Sequence, residues 1–214
     1  MAKQEAVAKG PGRNRLLTPE QVGRAAFDLV DARGADALTI SRLAGELGVS
    51  PMTIYGYAES KDAIVAMLSD LLLADLPDVD RDRPWRDAVE DIYLSIFRRL
   101  IEHHRVLQAI ADSPVFGSAQ AHVLEGVLDR LRDAGFEPTD AFELQRAVAT
   151  YTVGFALFAA AERTDGIPRP RTTWIDELDA DRFPRIAEIA PILAGEVDEA
   201  QYRRGLRRFL AAPV

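Results

Sequence analysis

Apolar side chains recur at helical spacing along almost the whole chain of 214 residues, and no stretch alternates between apolar and polar positions as a strand would. The first helical segment begins at the capping box TPEQ, residues 18–21, and Gly34 ends it. Thr39, Ser50 and Ser60 are suitable N-terminal caps for three further helices. The pattern therefore predicts an all-α fold.

The pattern divides the chain into three parts. A flexible basic arm covers residues 1–15, a helical domain covers residues 16–76, and a larger helical domain, which begins with the linker PDVDRDR, covers residues 77–214. In the larger domain we expect helices from Pro84 to a break near 103–105, around 107–111, and over 118–134, 138–163, 184–193 and 198–211. The stretch 164–181 is expected to form a long loop.

Two of the short predicted helices are joined by the turn Gly48-Val49-Ser50, and together they match a helix-turn-helix. In that motif the second helix lies in the major groove of DNA. Ile54 and Ala58 have the spacing to pack on the core. The positions left to point outward or to the sides are Pro51, Met52, Thr53, Tyr55, Gly56 and Tyr57. The alternative is a surface helix whose tyrosines lie at the edge of a domain.

Gly56 lies between two tyrosines of this second helix. A glycine in a helix interior costs about 0.8–1 kcal/mol relative to alanine. We interpret the glycine as a position where the helix backbone comes close to the DNA bases, which leaves Met52, Thr53 and Tyr57 to read them.

The formal net charge of −8 weighs at first against nucleic acid as a partner. Residues 1–60, however, hold equal numbers of basic and acidic side chains, so the negative balance belongs to the C-terminal part. Lys3, Lys9, Arg13 and Arg15 give the arm a charge that suits a DNA minor groove, with a solvated tail as the alternative. The charge distribution therefore permits a local DNA-binding surface.

The chain has no cysteine, which excludes disulfides, thiolate metal ligands and cysteine nucleophiles. His103, His104 and His122 are not spaced as paired metal ligands, and no Ser/His/Asp grouping, phosphate loop or pair of carboxylates is visible. The most apolar segment, residues 147–161, is too short to span a bilayer, and the N-terminus lacks a signal-peptide pattern. We therefore expect a cytoplasmic protein without a metal, a cofactor, enzymatic activity or a membrane partner.

The stretch LTISRLAGELGVSPMTIYGYAESKDAIVAML, residues 38–68, resembles the N-terminal domain of the tetracycline-repressor (TetR) family of bacterial regulators. The hallmarks are Leu38-Thr39, Leu43-Ala44, Leu47-Gly48-Val49-Ser50, Thr53-Ile54-Tyr55 and Ser60-Lys61-Asp62. The resemblance covers residues 16–76 and extends over the rest as the family's helical effector domain. It implies an N-terminal three-helix helix-turn-helix DNA-binding domain followed by a C-terminal helical domain for ligand binding and dimerisation.

The resemblance also implies a set of DNA-contacting residues. Together with the outward positions of the second helix, they are Thr39, Ser41, Ser50, Pro51, Met52, Thr53, Tyr55, Gly56, Tyr57 and Lys61. The family pattern places Thr53 and Tyr55 on DNA, Ser41 at a base-reading position, and Lys61 on phosphate, where a helix terminus is also positive. The base sequence of the operator is left open.

The helix over residues 147–161 is apolar on all sides, which indicates that both its own core and a partner bury it. In the family, this helix and the last one form a four-helix bundle across a twofold axis, so we expect a homodimer. The predicted interface residues are Gly154, Tyr202, Leu206 and Phe209. The family's ligand pocket predicts an effector site at Tyr93, Phe97, His104, Gln108, Tyr151, Phe155 and Phe158, with Thr150 and Thr152 as further polar candidates. The alternative for the aromatic residues is ordinary core.

These features predict a homodimeric, ligand-responsive transcriptional regulator, a repressor that a small apolar or aromatic effector releases from a palindromic double-stranded DNA operator. One alternative is a helical small-molecule-binding protein or enzyme with an incidental helix-turn-helix, which a gel shift compared with metabolite turnover would separate. Another is a DNA-binding scaffold without an effector, which a sealed C-terminal core would favour.

Overall fold

The computed structural model of the protein describes residues 17–111, 117–163, 175, 177–193 and 198–211, and every regular element in these ranges is helical. The all-α prediction is therefore confirmed. The helices are α1 (Pro19–Arg33), α2 (Ile40–Leu47), α3 (Pro51–Tyr55), α4 (Lys61–Leu73), α5 (Trp85–Glu102), α6 (His104–Ala111), α7 (Ser118–Asp133), α8 (Pro138–Arg163), α9 (Pro184–Leu193) and α10 (Glu199–Leu210), with a short 3₁₀ turn at Ala35–Ala37. The basic arm predicted over residues 1–15 and most of the loop predicted over residues 164–181 lie outside the described residues. Across the described ranges, no helix combines the length and the apolar character needed to cross a membrane.

Side chains that the sequence marks as caps close the first turns of the N-terminal helices. The Thr18 hydroxyl accepts the Gln21 backbone N–H at 3.3 Å, and the Gln21 side chain accepts the Thr18 N–H at 3.0 Å in return. Thr39, Ser50 and Ser60 likewise accept a backbone N–H three residues later, at the starts of α2, α3 and α4. Each cap satisfies an N–H that has no partner inside its helix, which is why these four starts are readable from the sequence.

The end of α3 differs from the prediction, because the helix stops at Tyr55 and Gly56 follows it. Gly56 keeps a right-handed backbone (φ −71°, ψ −15°), and the N–H groups of Tyr57 and Ala58 both donate to the Ile54 carbonyl. The placement of Gly56 in a helix interior is therefore wrong, and the penalty inferred from it does not apply. Ile54 and Ala58 are both buried as predicted, but their spacing also fits the turn that follows the helix.

Helix α4 joins the N-terminal helices to the rest of the molecule. It packs against α1 of the N-terminal part and against α5, α6 and α7 of the C-terminal part. Ile64, Leu68 and Leu72 of α4 have no exposed surface and belong to one apolar core that extends from α1 to α10. The helix-turn-helix and the C-terminal helices therefore share a buried helix.

Helix α10 is held against α5 by ion pairs along its length. The buried carboxylate of Glu90 lies 2.9 Å from Arg203 and 2.8 Å from Arg207. The Arg98 guanidinium makes two parallel bonds of 2.7 Å to Glu199, which hold the pKa of that carboxyl below its usual range. These contacts fix α10 to the core of its own chain.

Helix α8 contributes to an aromatic cluster, which consists of Phe97, Tyr151, Phe155, Tyr202 and Phe209. The rings of Phe97 and Tyr202 stack with centroids 4.1 Å apart, and Tyr151 stacks on Tyr202 at 5.5 Å. The Tyr151 hydroxyl donates to the Tyr202 carbonyl at 3.1 Å. The cluster fills the space between α5, α8 and α10.

Gly205 of α10 faces the Tyr151 hydroxyl so closely that a Cβ atom on Gly205 would overlap it. We expect Gly205→Ala to displace the Tyr151 ring from the aromatic cluster. The free energy of unfolding should fall by about 1–2 kcal/mol, because the steric overlap destabilises the protein by more than the higher helix propensity of alanine stabilises it. Urea unfolding measures the change.

Gly45→Ala is the matched control, because nothing lies within 4 Å of a Cβ atom built on this glycine of α2. It should raise the free energy of unfolding by about 0.5–1 kcal/mol. If Gly205→Ala proved as stable as Gly45→Ala, the Tyr151 hydroxyl would not pack closely against Gly205, and the prediction would be wrong.

Candidate functional site

The surface of α2 and α3 presents exposed side chains next to the N-terminus of α4. Met52 and Tyr55 are 75% and 47% exposed, whereas Ile54 between them is fully buried and anchors α3 on the core. The Val49 N–H donates to the Ala44 carbonyl at 2.9 Å and closes the turn between the two helices. A short helix held by one face, with the other face open, is the arrangement that reads a DNA groove.

Hydroxyl groups and one lysine give this surface its capacity to bind DNA. The Ser50 hydroxyl caps α3 and also bonds to the Thr53 hydroxyl at 3.0 Å. Lys61 is the first residue of α4, is exposed, and follows the Ser60 cap. Free N–H groups at a helix N-terminus, together with a lysine, attract phosphate. The surface therefore places phosphate-binding groups beside the exposed face of α3.

A cavity of about 600 Å³ lies between α4, α5, α6, α7 and α8. Each of these helices contributes aliphatic wall, for example through Leu72, Ile96, Leu107, Val123 and Leu157. The polar lining residues are Ser69, Tyr93, Gln120, Gln145, Arg146, Thr150 and Thr152. Such a volume and lining suit a small apolar molecule that a few hydrogen bonds orient.

Two family models match the chain. The model of bacterial regulatory proteins of the tetR family matches residues 24–68, which contain the helix-turn-helix. The model of the tetracyclin repressor-like C-terminal domain matches residues 76–211, which contain most of the cavity wall. The chain belongs to the TetR family. It is therefore a helix-turn-helix transcriptional regulator whose C-terminal domain is of the tetracyclin repressor-like type.

Relatives and solved structures agree with this assignment. The chain is 28% identical to the HTH-type transcriptional repressor DrrR1 of Streptomyces coeruleorubidus, over 93% of this chain and 78% of that protein. It is also 28% identical to the class A tetracycline repressor protein from transposon 1721 of Escherichia coli, over 89% and 87%. A possible TetR family transcriptional regulator from Streptomyces coelicolor A3(2) matches with a TM-score of 0.77 at 27% identity, over 90% of this chain and 97% of that one. Apo ActR from Streptomyces coelicolor shares the fold, with a TM-score of 0.81 at 23% identity, over 93% and 95%.

In this TetR-family regulator, most of the predicted DNA-contacting residues lie on the exposed surface. The exposed members are Thr39, Ser41, Ser50, Pro51, Met52, Tyr55, Gly56 and Lys61, and the half-buried members are Thr53 and Tyr57. Tyr57 packs against the core from the turn after α3, so less of its ring is available to DNA than its spacing indicates. The contact of each residue with DNA stays a prediction.

The predicted effector residues fall into two groups. Those that line the cavity are Tyr93, Thr150 and Thr152. Those outside the lining are Phe97, His104, Gln108, Tyr151, Phe155 and Phe158. Phe97, Tyr151 and Phe155 belong instead to the aromatic cluster. Because the middle of α8 is apolar on all sides, its sequence does not indicate which side faces the cavity and which faces α10.

The residues that the sequence analysis missed are polar groups of the cavity wall, namely Ser69, Gln120, Gln145 and Arg146. Ser69 does carry a signal in the sequence, because its hydroxyl lies between Leu68 and Leu72 of an apolar helix face. In the structure Ser69 is only 6% exposed. The other three occupy exposed or half-buried helical positions. Periodicity does not distinguish such positions from an ordinary solvated surface.

Tyr93 presents a neutral hydroxyl to the cavity. Burial raises the pKa of Tyr93 to about 12, although the hydrogen bond from Gln145 acts in the opposite direction. The Gln145 side-chain amide donates to the Tyr93 hydroxyl at 3.0 Å. The hydroxyl of Thr152, farther along the wall, lies 2.8 Å from the Tyr202 hydroxyl. These polar groups of the wall are therefore uncharged and already bonded to the protein.

The predicted dimer residues also occupy different surroundings. Tyr202 and Leu206 have no exposed surface in the single chain, so they pack inside its own core and leave no surface for a partner. Gly154 lines the cavity, whereas Phe209 is 38% exposed. The apolar face of α10 is therefore largely used within the chain, and an apolar face by itself does not indicate which molecule buries it.

Helix α7 receives its N-terminal cap from α4. Gly117, which precedes α7, has no side chain, and the Ala119 N–H donates to the Asp70 carboxylate at 2.8 Å. A Cβ atom on Gly117 would overlap this carboxylate, so the glycine is what admits Asp70. Asp70 follows Ser69 of the cavity wall, and α7 supplies Gln120 to the same wall. One carboxylate therefore ties two walls of the cavity together.

We expect Asp70→Ala to lower the free energy of unfolding by about 1 kcal/mol, because the first turn of α7 loses its cap. Gly117→Ser alone should also destabilise the protein, because the added side chain meets Asp70. The double variant should approach wild-type stability, since the introduced hydroxyl caps α7 in the space that Asp70 leaves. Urea unfolding of the wild type, the two single variants and the double variant gives the coupling energy between positions 70 and 117. If the two losses of stability simply added in the double variant, the proposed cap would be contradicted.

Proposed function

We propose that this repressor holds a palindromic operator as a homodimer through α2, α3 and the start of α4, and that an apolar effector in the cavity releases it. The observation that carries the proposal is α4, which has Lys61 at one end and Ser69, Leu72 and Leu73 in the cavity wall at the other. Lys61 and Leu73 are about 18 Å apart along one continuous helix. An effector that displaces the wall therefore displaces the end of α4 that faces DNA.

Contacts between α6 and α1 offer a second route from the cavity to the helix-turn-helix. Arg105 of α6 donates to the carbonyls of Asp31 and Ala32, at 3.1 and 2.9 Å, and so binds the C-terminal end of α1. His103, immediately before α6, lies 3.1 Å from the Asp31 carboxylate. Leu107 of α6 belongs to the cavity wall. An effector that binds one arrangement of these helices more tightly than another shifts the population toward the first arrangement. The expected coupling free energy between effector binding and operator binding is about 1–3 kcal/mol.

The cavity supports binding rather than catalysis. No histidine, lysine or carboxylate is among its described lining residues, and the Tyr93 hydroxyl is already bonded to Gln145, so the wall offers no general acid paired with a general base. The described part of the chain also contains no group of three side chains placed to hold a metal ion. We therefore infer a regulator without enzymatic activity, in preference to an enzyme with an incidental helix-turn-helix.

Proteins with this fold have been solved with compounds bound. ActR of Streptomyces coelicolor in complex with actinorhodin matches with a TM-score of 0.78 at 22% identity, over 91% of this chain and 94% of that one. A TetR variant from Acinetobacter baumannii AYE in complex with minocycline matches with a TM-score of 0.67 at 23% identity, over 91% and 95%. At these identities the likeness supports the fold, and the chemistry of the effector has to come from the cavity wall of this chain.

The homodimer is supported by symmetry and by exposed apolar side chains. A palindromic operator presents two equivalent half-sites, which a twofold protein matches. Phe158 of α8 is 58% exposed and Phe209 of α10 is 38% exposed. Exposed apolar residues on two neighbouring helices suit a partner that covers them.

Lys61→Ala should weaken binding to the operator, because a phosphate contact is lost. The slope of log Kd against log salt should decrease by about 0.9 per chain. Fluorescence anisotropy with labelled DNA from upstream of the gene measures both quantities, and the same titration gives the number of chains bound. Arg204→Ala, which removes an exposed charge on α10, is the control and should leave the slope unchanged. An unaltered slope for Lys61→Ala would refute the proposed phosphate contact. Binding of a single chain to the operator would refute the proposed dimer.

Ala149→Trp should fill the cavity, because Ala149 belongs to its wall. The neutral fluorophore N-phenylnaphthylamine should then bind at least about tenfold more weakly, while operator affinity without ligand stays within about twofold. Ala147→Trp places the same side chain on α8 outside the described lining and is the matched control. Thermal unfolding verifies that both variants are folded. If both variants weakened binding of the probe equally, the probe would bind outside the cavity.

A further inference from the structure

The charge of the cavity wall is one-sided. Arg146 is the one charged side chain among the described lining residues. The whole chain carries a net charge of −8, so a wall with an arginine and no carboxylate departs from the rest of the molecule. A cationic ligand would lose hydration in this cavity without gaining a countercharge.

Arg146 is available to a ligand. Its guanidinium makes no ion pair or hydrogen bond within the part of the chain that the structure describes. It lies 5.4 Å from the centroid of the Phe142 ring, one helical turn away on α8, and both side chains are exposed. An arginine that lies over an aromatic ring keeps its N–H groups free to bind a carboxylate in a bidentate manner. The rim of the cavity therefore offers a positive charge beside an aromatic surface.

Three neutral polar side chains of the wall, Ser69, Gln120 and the exposed Thr150, make no hydrogen bond within the described part of the chain. Ser69 lies on α4 and is only 6% exposed, and Gln120 lies on α7. Tyr93 and Gln145, by contrast, bond to each other. An unbonded polar group inside a wall is satisfied when a ligand brings an oxygen to it.

The wall also has considerable length. Its residues on α8 extend from Phe142 to Leu157, which is about 22 Å along the helix axis. Aliphatic side chains make up most of the wall. A ligand that fills a wall of this length needs an extended apolar skeleton.

We propose that the effector is an acidic apolar ring compound. Its carboxylate, or another group that is anionic at neutral pH, binds Arg146, and a neutral oxygen on its ring system faces Ser69 and Gln120. The inference rests on the proposed function, because it specifies the effector of the same cavity. Arg146 would then determine effector specificity, by favouring anionic compounds over neutral and cationic compounds of similar shape.

Two fluorescent probes with the same rings test the inference. Anilinonaphthalene sulfonate carries a negative charge, and N-phenylnaphthylamine lacks the sulfonate. We expect Arg146→Gln to raise the Kd of anilinonaphthalene sulfonate about fivefold or more and to leave the Kd of N-phenylnaphthylamine unchanged. Arg146→Lys should retain much of the affinity for the sulfonate, and Arg204→Gln, outside the described lining, should retain all of it. Added salt should weaken binding of the sulfonate alone.

The outcomes separate this inference from the proposed function. If both probes bind the wild type, compete with each other and respond equally to Arg146→Gln, the acidic effector is ruled out while the cavity stands as a binding site. If the sulfonate is unaffected by the loss of Arg146, the same conclusion follows. If neither probe binds the wild type, or Ala149→Trp leaves both unchanged, the proposed function fails as well.

Discussion

The burial of one face of α4 is the constraint on which the rest of this regulator depends. Ile64, Leu68 and Leu72 have no exposed surface, and they share one core with α1 and with the C-terminal helices. Removing such side chains from water contributes about 1.5–3 kcal/mol each, so the two parts of the molecule cannot separate at α4 without a large loss. The N-terminal end of α4, beside the helix-turn-helix, is therefore fixed to the helices that enclose the cavity.

Polar contacts around this buried face determine which neighbours are joined to α4 and α1. Asp70 holds the first turn of α7, and Arg105 holds the last turn of α1. On the other side of α8, the aromatic cluster and the ion pairs of Glu90 fill the space against α10. One side of α8 is thus closely packed while the other leaves a cavity, which is the arrangement that a ligand-responsive protein requires.

Much of the fold could be predicted from local chemistry, whereas the lining of the cavity could not. Thr18, Ser50 and Ser60 act on N–H groups three residues away, so their effect is already present in the local sequence. Tyr151 and Tyr93 are both aromatic residues on apolar stretches, yet only Tyr93 lines the cavity. Their difference lies in which helix packs on each side, and helical periodicity carries no information about that neighbour.

The sequence by itself determined the helical fold class, the starts of the N-terminal helices and the helix-turn-helix, because capping and amphipathic spacing act over one or two turns. Tertiary structure alone decided that α3 ends before Gly56, that Tyr202 and Leu206 face their own core, and that Arg146 is the charge at the cavity. The burial of Tyr202 and Leu206 and the position of Arg146 depend on helices far away in the chain. Such partners are chosen by packing complementarity and by the pairing of buried polar groups, which only the assembled molecule establishes.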